Sequence, residues 1–295
     1  DTGASVSVAI QFVVEALLRS PAFLFREEVG VVAGAGRPLS ANELASALAA
    51  TLTRHAPDSA LTAKAADGTL TQGEIFKAEA LRILELPQAR QTTVEFFKEW
   101  LRIKDLEHAE KDLELFPFFD SALKSAMIDE TSMLITTELE KQKPQLTELM
   151  TTSKSYLKRP LDKIYGLTDL TDTAVEKSLD PSQRAGLLTQ PSLMTALADQ
   201  LDSHPIKRGL FVLTRALCQS TPALPRNANV SLPDLIPGET KRQRFSRHST
   251  DAVCSSCHRV IDPFGFGLEN LDGVGAFRST EQGTPIDASA SIEFL

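Results

Sequence analysis

The segment Cys254-Ser255-Ser256-Cys257-His258 contains two cysteines separated by two residues, with a histidine directly after the second. This is the spacing by which a chain attaches a c-type haem covalently. Two thiols about one helical turn apart can reach the two vinyl groups on one edge of a porphyrin, and the next residue projects beneath the ring. The segment therefore predicts a covalent haem c held by both cysteines, with His258 as the proximal iron ligand.

Three other structures compete with a haem at this pair of cysteines. A thioredoxin-like redox pair begins a helix that follows a strand, and the basic, polar residues 242–251 show no strand pattern. A structural zinc ion needs four ligands in tetrahedral geometry, and the irregularly spaced candidates are Cys218, His248, Cys254 and Cys257. A disulfide within the pair closes a strained ring and gives His258 no role. All three rank below haem and stay open.

The residues after the pentapeptide mix apolar side chains with glycines, which allow the backbone to approach a cofactor closely. Pro263 predicts a turn below the proximal ligand. The side chains expected to cover the porphyrin, or otherwise to form the core of a small domain, are Phe264, Phe266, Leu268 and Leu271. Arg259 and Arg278 are candidates to bind the haem propionates, because a guanidinium matches a carboxylate in a bidentate fork.

The group on the other face of the iron decides between electron transfer and catalysis, because two strong axial ligands favour outer-sphere electron transfer. The candidates for this distal ligand are Met194, His204 and His248. Met194 also fits an ordinary helix core, His204 precedes a proline in a turn, and His248 is placed to meet a propionate. Two further histidines, His55 and His108, have polar neighbours and are predicted to face solvent.

The composition is that of a soluble globular chain, since 42% of the 295 residues are hydrophobic. No run of eighteen apolar residues is present, so no transmembrane segment is predicted. The net charge of −8 argues against a nucleic-acid partner. Asp1 in place of methionine indicates that a signal peptide or a longer region has been removed. Covalent haem attachment takes place outside the bacterial cytoplasm, so the expected location is the periplasm or the cell surface.

Apolar residues at helical spacing predict a series of helices separated by short loops that carry proline or glycine. The first covers residues 6–28 with a restart at Pro21, and Ser40 with Glu43 forms the capping box of the next. Further helices are expected over 71–86, 88–101, 119–141 and 210–218, the last after a break at 204–209. No alternation typical of strands is present.

The predicted fold class is therefore all-α. Its layout is a helical domain over residues 1–165, a helical and Pro-rich connecting region over 166–237, and a small cytochrome-c-like haem module over 238–295. Within the connecting region, four prolines predict an extended, polyproline-like segment that leads into the haem module: Pro222, Pro225, Pro233 and Pro237.

Four stretches are landmarks of a known family, namely residues 15–26, 39–45, 205–209 and the haem stretch through 275–278. In these the chain resembles large bacterial cytochrome-c-like proteins built from serial domains of unknown function, of the DUF1592 and DUF1588 types, over nearly its whole length. The resemblance implies export, a c-type haem and further modules before and after this chain. Residues 45–52 depart from the family, which tends to carry bulkier aromatic residues there.

These observations support three hypotheses for function. The first is an exported monohaem c-type cytochrome that transfers electrons within a larger redox assembly, with a redox partner protein or other modules of that assembly as partners. The second is a haem c enzyme, peroxidase-like or oxidase-like, with an open distal site. The third is an interaction domain stapled by zinc.

Overall fold

The computed structural model describes residues 5–33, 36–221, 233–234, 236–249 and 252–292. This part of the chain is mostly helical, which confirms the predicted helical character. The chain divides into two compact units, Asp1–Glu95 and Phe96–Leu295. The predicted division into a helical domain, a connecting region and a haem module stays a prediction.

The first unit is built from short helices. They are α1 (Val6–Leu18), α2 (Pro21–Leu24), α3 (Ala41–Thr53), α4 (Ser59–Ala66), α5 (Gly73–Leu84) and the beginning of α6 (Pro87–Trp100), with a 3₁₀ turn over Thr69–Thr71. Their core consists of Ala45, Leu48, Ala49, Leu61, Ala65, Leu70 and Ile83. By contrast, α1 contributes no buried residue, although apolar side chains make up most of its length.

Two helix starts in the first unit follow from local chemistry and confirm the predictions made for them. Pro21 occupies the first turn of α2 directly after Ser20, where its missing N–H is not needed. At α3, the Ser40 hydroxyl accepts from the Glu43 N–H at 3.3 Å, and the Glu43 carboxylate accepts from the Ser40 N–H at 2.7 Å. This capping box satisfies two backbone donors that a helix start would otherwise leave open.

The second unit combines helices with two small antiparallel sheets. Its helices after α6 are α7 (Ser121–Leu139), α8 (Leu146–Thr151), α9 (Asp162–Tyr165), α10 (Pro191–Ala196), α11 (Pro205–Phe211), α12 (Lys241–His248) and α13 (Ala252–Phe266). There are 3₁₀ turns over Ile103–His108 and Leu187–Thr189, and a π turn over Val212–Ala216. The strands pair as β1 (Lys154–Leu157) with β2 (Val175–Ser178), and β3 (Thr280–Glu281) with β4 (Thr284–Pro285).

The antiparallel pair of strands β1 and β2 corrects the expectation that no strand is present. Lys154 pairs with Ser178 and Leu157 with Val175. Each strand has only four residues, and buried side chains alternate with less buried ones in β1 but not in β2, so neither strand stands out in the sequence. Leu157 joins the core beneath α7, and this core also contains Leu123 and Met127.

Two details of the second half also differ from the predictions. Helix α11 begins at Pro205, so residues 204–209 form a helix start instead of a break; proline suits a first helical turn, and the His204 ring accepts from the Lys207 N–H at 3.3 Å. Pro263 lies inside α13 instead of in a turn. Of the Pro-rich segment predicted to be extended, residues 222–232 and 235 lie outside the described residues.

Candidate functional site

Helix α13 carries the pentapeptide near its beginning. Cys254, Cys257 and His258 stand at positions i, i+3 and i+4 of this helix, and such positions share one face. All three residues are half-buried, and both thiols are free. The helix therefore presents two sulfur atoms and an imidazole on the same side, within about one turn of each other.

His258 is held by a carboxylate on the next turn of the same helix. Its Nδ1 lies 2.8 Å from Oδ1 of Asp262, and the two side chains are 15% and 10% exposed. A carboxylate only accepts hydrogen bonds, so the proton belongs on Nδ1 of the imidazole. Nε2 is then the nitrogen with which His258 would bind a metal, and the bond to Asp262 orients the ring for it.

A cavity of about 310 Å³ lies beside His258. It is lined by Arg242, Ser249, Ser255, His258, Arg259, Asp262, Pro263, Phe266, Ala290 and Ser291. The guanidinium of Arg242 lies 4.8 Å from the centre of the Phe266 ring. The lining thus joins an aromatic surface to two cationic side chains, which suits a flat apolar group with an anionic edge.

Of the side chains predicted to cover the porphyrin, Phe266 lines the cavity, whereas Leu268 and Leu271 do not. Pro263 and Arg259, which were predicted to form a turn and to bind a propionate, line the cavity with His258. Phe264, which is half-buried, is not among the lining residues. Arg278 also lies elsewhere, because its guanidinium donates to Ser203 Oγ at 3.0 Å and faces Asp202 Oδ1 at 3.1 Å. Arg259 is therefore better placed than Arg278 to contact a propionate in this cavity.

A buried arginine anchors the chain that follows α13. Arg208 of α11 is fully buried, and its guanidinium donates to the carbonyl oxygens of Leu268 at 2.8 Å, Leu271 at 2.6 Å and Asp272 at 2.7 Å. Burial lowers the pKa of Arg208, and the nearby Glu269 carboxylate opposes this shift. The 205–209 landmark therefore holds the segment just beyond the helix that carries the pentapeptide.

The backbones of α11 and α13 touch directly. A methyl group on Gly265 would overlap the carbonyl oxygen of Pro205, and one on Gly209 would overlap the carbonyl oxygen of Ile261. Only glycine permits so close an approach at these two positions. The half of α13 that contains Asp262 is consequently packed against α11 with backbone close to backbone at both glycines.

The predicted distal ligands lie away from this cavity or outside the described residues. Met194 is fully buried in α10, where it packs near Gly275. His204 caps α11, and burial lowers its pKa. Neither residue lines the cavity beside His258. His248 is the last residue of α12, and its side chain lies outside the described residues. His55 and His108 are exposed, as predicted.

The described part of the structure does not provide a cluster of ligands that would support the zinc hypothesis. No group of three or more His, Cys, Asp or Glu side chains is placed to hold a metal ion in the described part of the chain. Cys218 is exposed after the π turn. The predicted set of four also includes His248, so it extends beyond the described residues.

Three residues of this region were missed by sequence reasoning. The contact of Asp262 with His258 could have been predicted, because Asp262 stands four residues after His258 on a segment with helical spacing. Arg242 and Arg208 gave no such signal, because their contacts with Phe266 and Leu268 join residues far apart in the sequence.

Two family models match this chain. Residues 39–167 match a family described as a protein of unknown function (DUF1592), and residues 184–281 match another such family (DUF1588). These matches confirm the resemblance to proteins built from serial domains of unknown function. The DUF1588 region contains α11, α13 and the whole pentapeptide.

No curated protein and no solved structure matches the chain. Among the helices that the structure describes, none has both the length and the apolar character needed to cross a membrane.

Proposed function

We propose that this chain is an exported monohaem c-type cytochrome that transfers electrons within a larger redox assembly. The observation that carries the proposal is the placement of Cys254, Cys257 and His258 on one face of α13, with Nδ1 of the imidazole engaged by Asp262. Two free thiols and an oriented imidazole form the donor set that a covalent haem c requires.

The residues around His258 fit such a cofactor. Cys254 and Cys257 would form the thioethers, and His258 would supply the proximal ligand. Pro263 and Phe266 offer apolar surface, with Phe264 nearby in the same helix. Arg242 and Arg259, which line the same cavity as Phe266, would face the anionic edge of the porphyrin. When bound, haem c would supply reversible one-electron chemistry at its iron.

Export and partners follow from the same cofactor. Covalent attachment of haem takes place outside the bacterial cytoplasm, so the proposed location is the periplasm or the cell surface. The short name of the second family model, PSCyt3, hints at a cytochrome-like module. Other modules or subunits of a redox assembly are the proposed electron donors and acceptors.

The test is to express the chain with an export signal in a bacterium that matures c-type cytochromes. The denatured, unmutated polypeptide is expected to keep its haem stain, because thioether bonds survive unfolding. Cys254→Ala and Cys257→Ala should each reduce attachment. Complete loss of haem from the denatured, unmutated protein would exclude a covalent cofactor and with it this proposal.

The same preparation separates attachment from iron ligation. His258→Ala is expected to change the iron's spin state and shift its reduction potential, while the thioethers still hold any haem that was attached. His55→Ala is the matched control, because His55 is exposed and lies in the other compact unit. An unchanged spectrum and potential in His258→Ala would show that His258 is not a ligand.

One observation favours a second candidate, a haem c enzyme with an open distal site. Among the described residues, the cavity lining contains no methionine and no histidine other than His258. Carbon monoxide binds reduced haem only where the sixth position is open or weakly held, so the visible spectrum with and without the gas discriminates the two candidates. A pyridine haemochrome assay with metal analysis separates both from a zinc-stapled domain.

A further inference from the structure

We propose that Asp262 is the positioning residue for the proximal ligand, and that its carboxylate lowers the reduction potential of the iron. This inference rests on the proposed function, because it concerns the haem that His258 would bind. Asp262 would then help to set the reduction potential of the iron, in addition to being part of helix α13.

His258 and Asp262 form a short hydrogen bond that is shielded from water. His258 and Asp262 stand one turn apart on α13, and the distance from Nδ1 to Oδ1 is 2.8 Å, within the range of a strong, charge-assisted hydrogen bond. Both side chains are largely removed from solvent, at 15% and 10% exposure. Water therefore competes little for this bond, and the imidazole is held in a single orientation.

The backbone that carries the acceptor, Asp262, is held rigidly. Ile261, directly before Asp262, contacts Gly209 through its carbonyl oxygen, and Gly265, three residues later, contacts the carbonyl oxygen of Pro205. The backbone that carries Asp262 is therefore fixed against α11 on both sides. A ligand oriented by a rigid partner keeps its geometry when the charge of the metal changes.

The negative charge of Asp262 also acts on the iron through the imidazole. A carboxylate that accepts the Nδ1 proton makes the imidazole a stronger electron donor through Nε2. A stronger donor stabilises Fe(III) more than Fe(II), because the ferric iron carries the larger positive charge. The bond to Asp262 should consequently lower the reduction potential relative to a haem whose histidine has a neutral acceptor.

The main experiment measures the midpoint potential of the haem-loaded full chain and of Asp262→Asn. Asparagine keeps the shape and an accepting oxygen but removes the charge. Loss of a group that hydrogen-bonds a metal ligand typically costs about 10–100-fold in metal affinity or activity, and we take the lower end as the scale for the redox equilibrium. We therefore expect the Fe(III)/Fe(II) balance to shift toward Fe(II) by about 10-fold, which is a rise of about 59 mV for one electron.

The matched control is Asp287→Asn. Asp287 pairs with Arg242 at 2.7 Å, so it is a second carboxylate close to the cavity. Its hydrogen-bond partners in the described part of the chain do not include His258. This control removes the same charge without touching the imidazole. A rise in potential for Asp262→Asn that is no larger than for Asp287→Asn would overturn the proposal.

A second measurement does not depend on haem, and the chain in which the tautomer is read is the unmutated one. The unmutated chain, isolated without haem and labelled with ¹⁵N-histidine, is studied by NMR at about pH 9, where an ordinary imidazole is neutral. His258→Gln assigns the signal. We expect the proton on Nδ1, and the opposite tautomer would overturn the proposal. If the chain lacks covalent haem but shows the Nδ1–H tautomer, the proposed function fails while the positioning of His258 by Asp262 stands.

Discussion

Glu130 is a carboxylic acid that the second unit buries almost completely, at 1% exposure. Its Oε1 accepts hydrogen bonds from Ser155 Oγ and from Tyr165 Oη, both at 2.5 Å. Its Oε2 has no hydrogen-bond partner in the described part of the chain. Burial raises the pKa of Glu130 to about 7, and the two hydroxyl donors only partly oppose this shift. The folded protein therefore keeps the proton near neutral pH.

This shift makes the stability of the fold depend on pH. The folded pKa lies above the ordinary value of 4.5, so the folded state binds the additional proton between these values. The contribution of Glu130 to stability is full below about pH 4.5 and is lost as pH rises to about 7. A shift of this size corresponds to roughly 3 kcal/mol.

Glu130→Gln should remove this dependence, because the amide keeps an accepting oxygen and has no charge at any pH. The free energy of unfolding of the variant minus that of the unmutated protein should therefore rise from pH 5 to pH 8, by up to about 3 kcal/mol. Urea unfolding at both pH values measures the difference. Glu176→Gln serves as control, because hydrogen bonds from Lys154 and Tyr156 lower the pKa of this exposed carboxylate. Parallel stability profiles for Glu130→Gln and the unmutated protein would contradict the prediction.

The crossing of α11 and α13 is the element-scale feature on which the candidate site depends. At two places a glycine packs against backbone, Gly265 against Pro205 and Gly209 against Ile261. Arg208 adds three hydrogen bonds to carbonyl oxygens just beyond α13. Because backbone atoms cannot move aside as a flexible side chain can, this crossing tolerates no additional volume.

Gly265→Ala should therefore destabilise the protein. In an open helix this change stabilises by about 1 kcal/mol, because alanine is the better helix former. Here the new methyl group would overlap the carbonyl of Pro205, so we expect a net loss of about 1–3 kcal/mol. Denaturant unfolding measures the loss. Gly73→Ala is the control, since nothing lies within 4 Å of a methyl group at the start of α5. Equal or greater stability in Gly265→Ala would show that the helices separate without cost.

At the scale of the whole molecule, the two compact units have separate hydrophobic cores. Leu61 belongs to the core of the first unit and Leu123 to that of the second, and both are fully buried. Local unfolding follows such cooperative units, because each core holds its own elements together. Damage to one core is therefore expected to remain in its own unit.

Leu61→Ala and Leu123→Ala form a matched pair for this prediction. Each should cost about 2–5 kcal/mol, because each leaves a cavity in a closed core. Hydrogen exchange followed by mass spectrometry should show faster exchange in α3–α5 for the first variant and around α7 for the second. Faster exchange throughout the chain in both variants would mean that the units unfold together.

Features that depend on neighbouring residues were predicted correctly from the sequence. The restart of the chain at Pro21 and the capping box of Ser40 with Glu43 both involve groups within one turn, so the order of residues determines them. The mostly helical character also followed from apolar spacing, and the family resemblance is confirmed by two matches. The cofactor, its ligands and the layout of the haem module remain predictions.

Only the tertiary structure decided which distant groups meet. Strands β1 and β2 pair with each other and cover α7. A pattern of four residues is too short to predict these contacts. The burial of Glu130 and the clamp of Arg208 on residues about sixty positions away likewise have no local signature. The sequence alone placed two cysteines and a histidine at haem spacing, whereas packing determined that α13 is fixed against α11. The physical reason is that helix caps and side-chain spacing act over one turn, while burial and backbone contact depend on the whole folded chain.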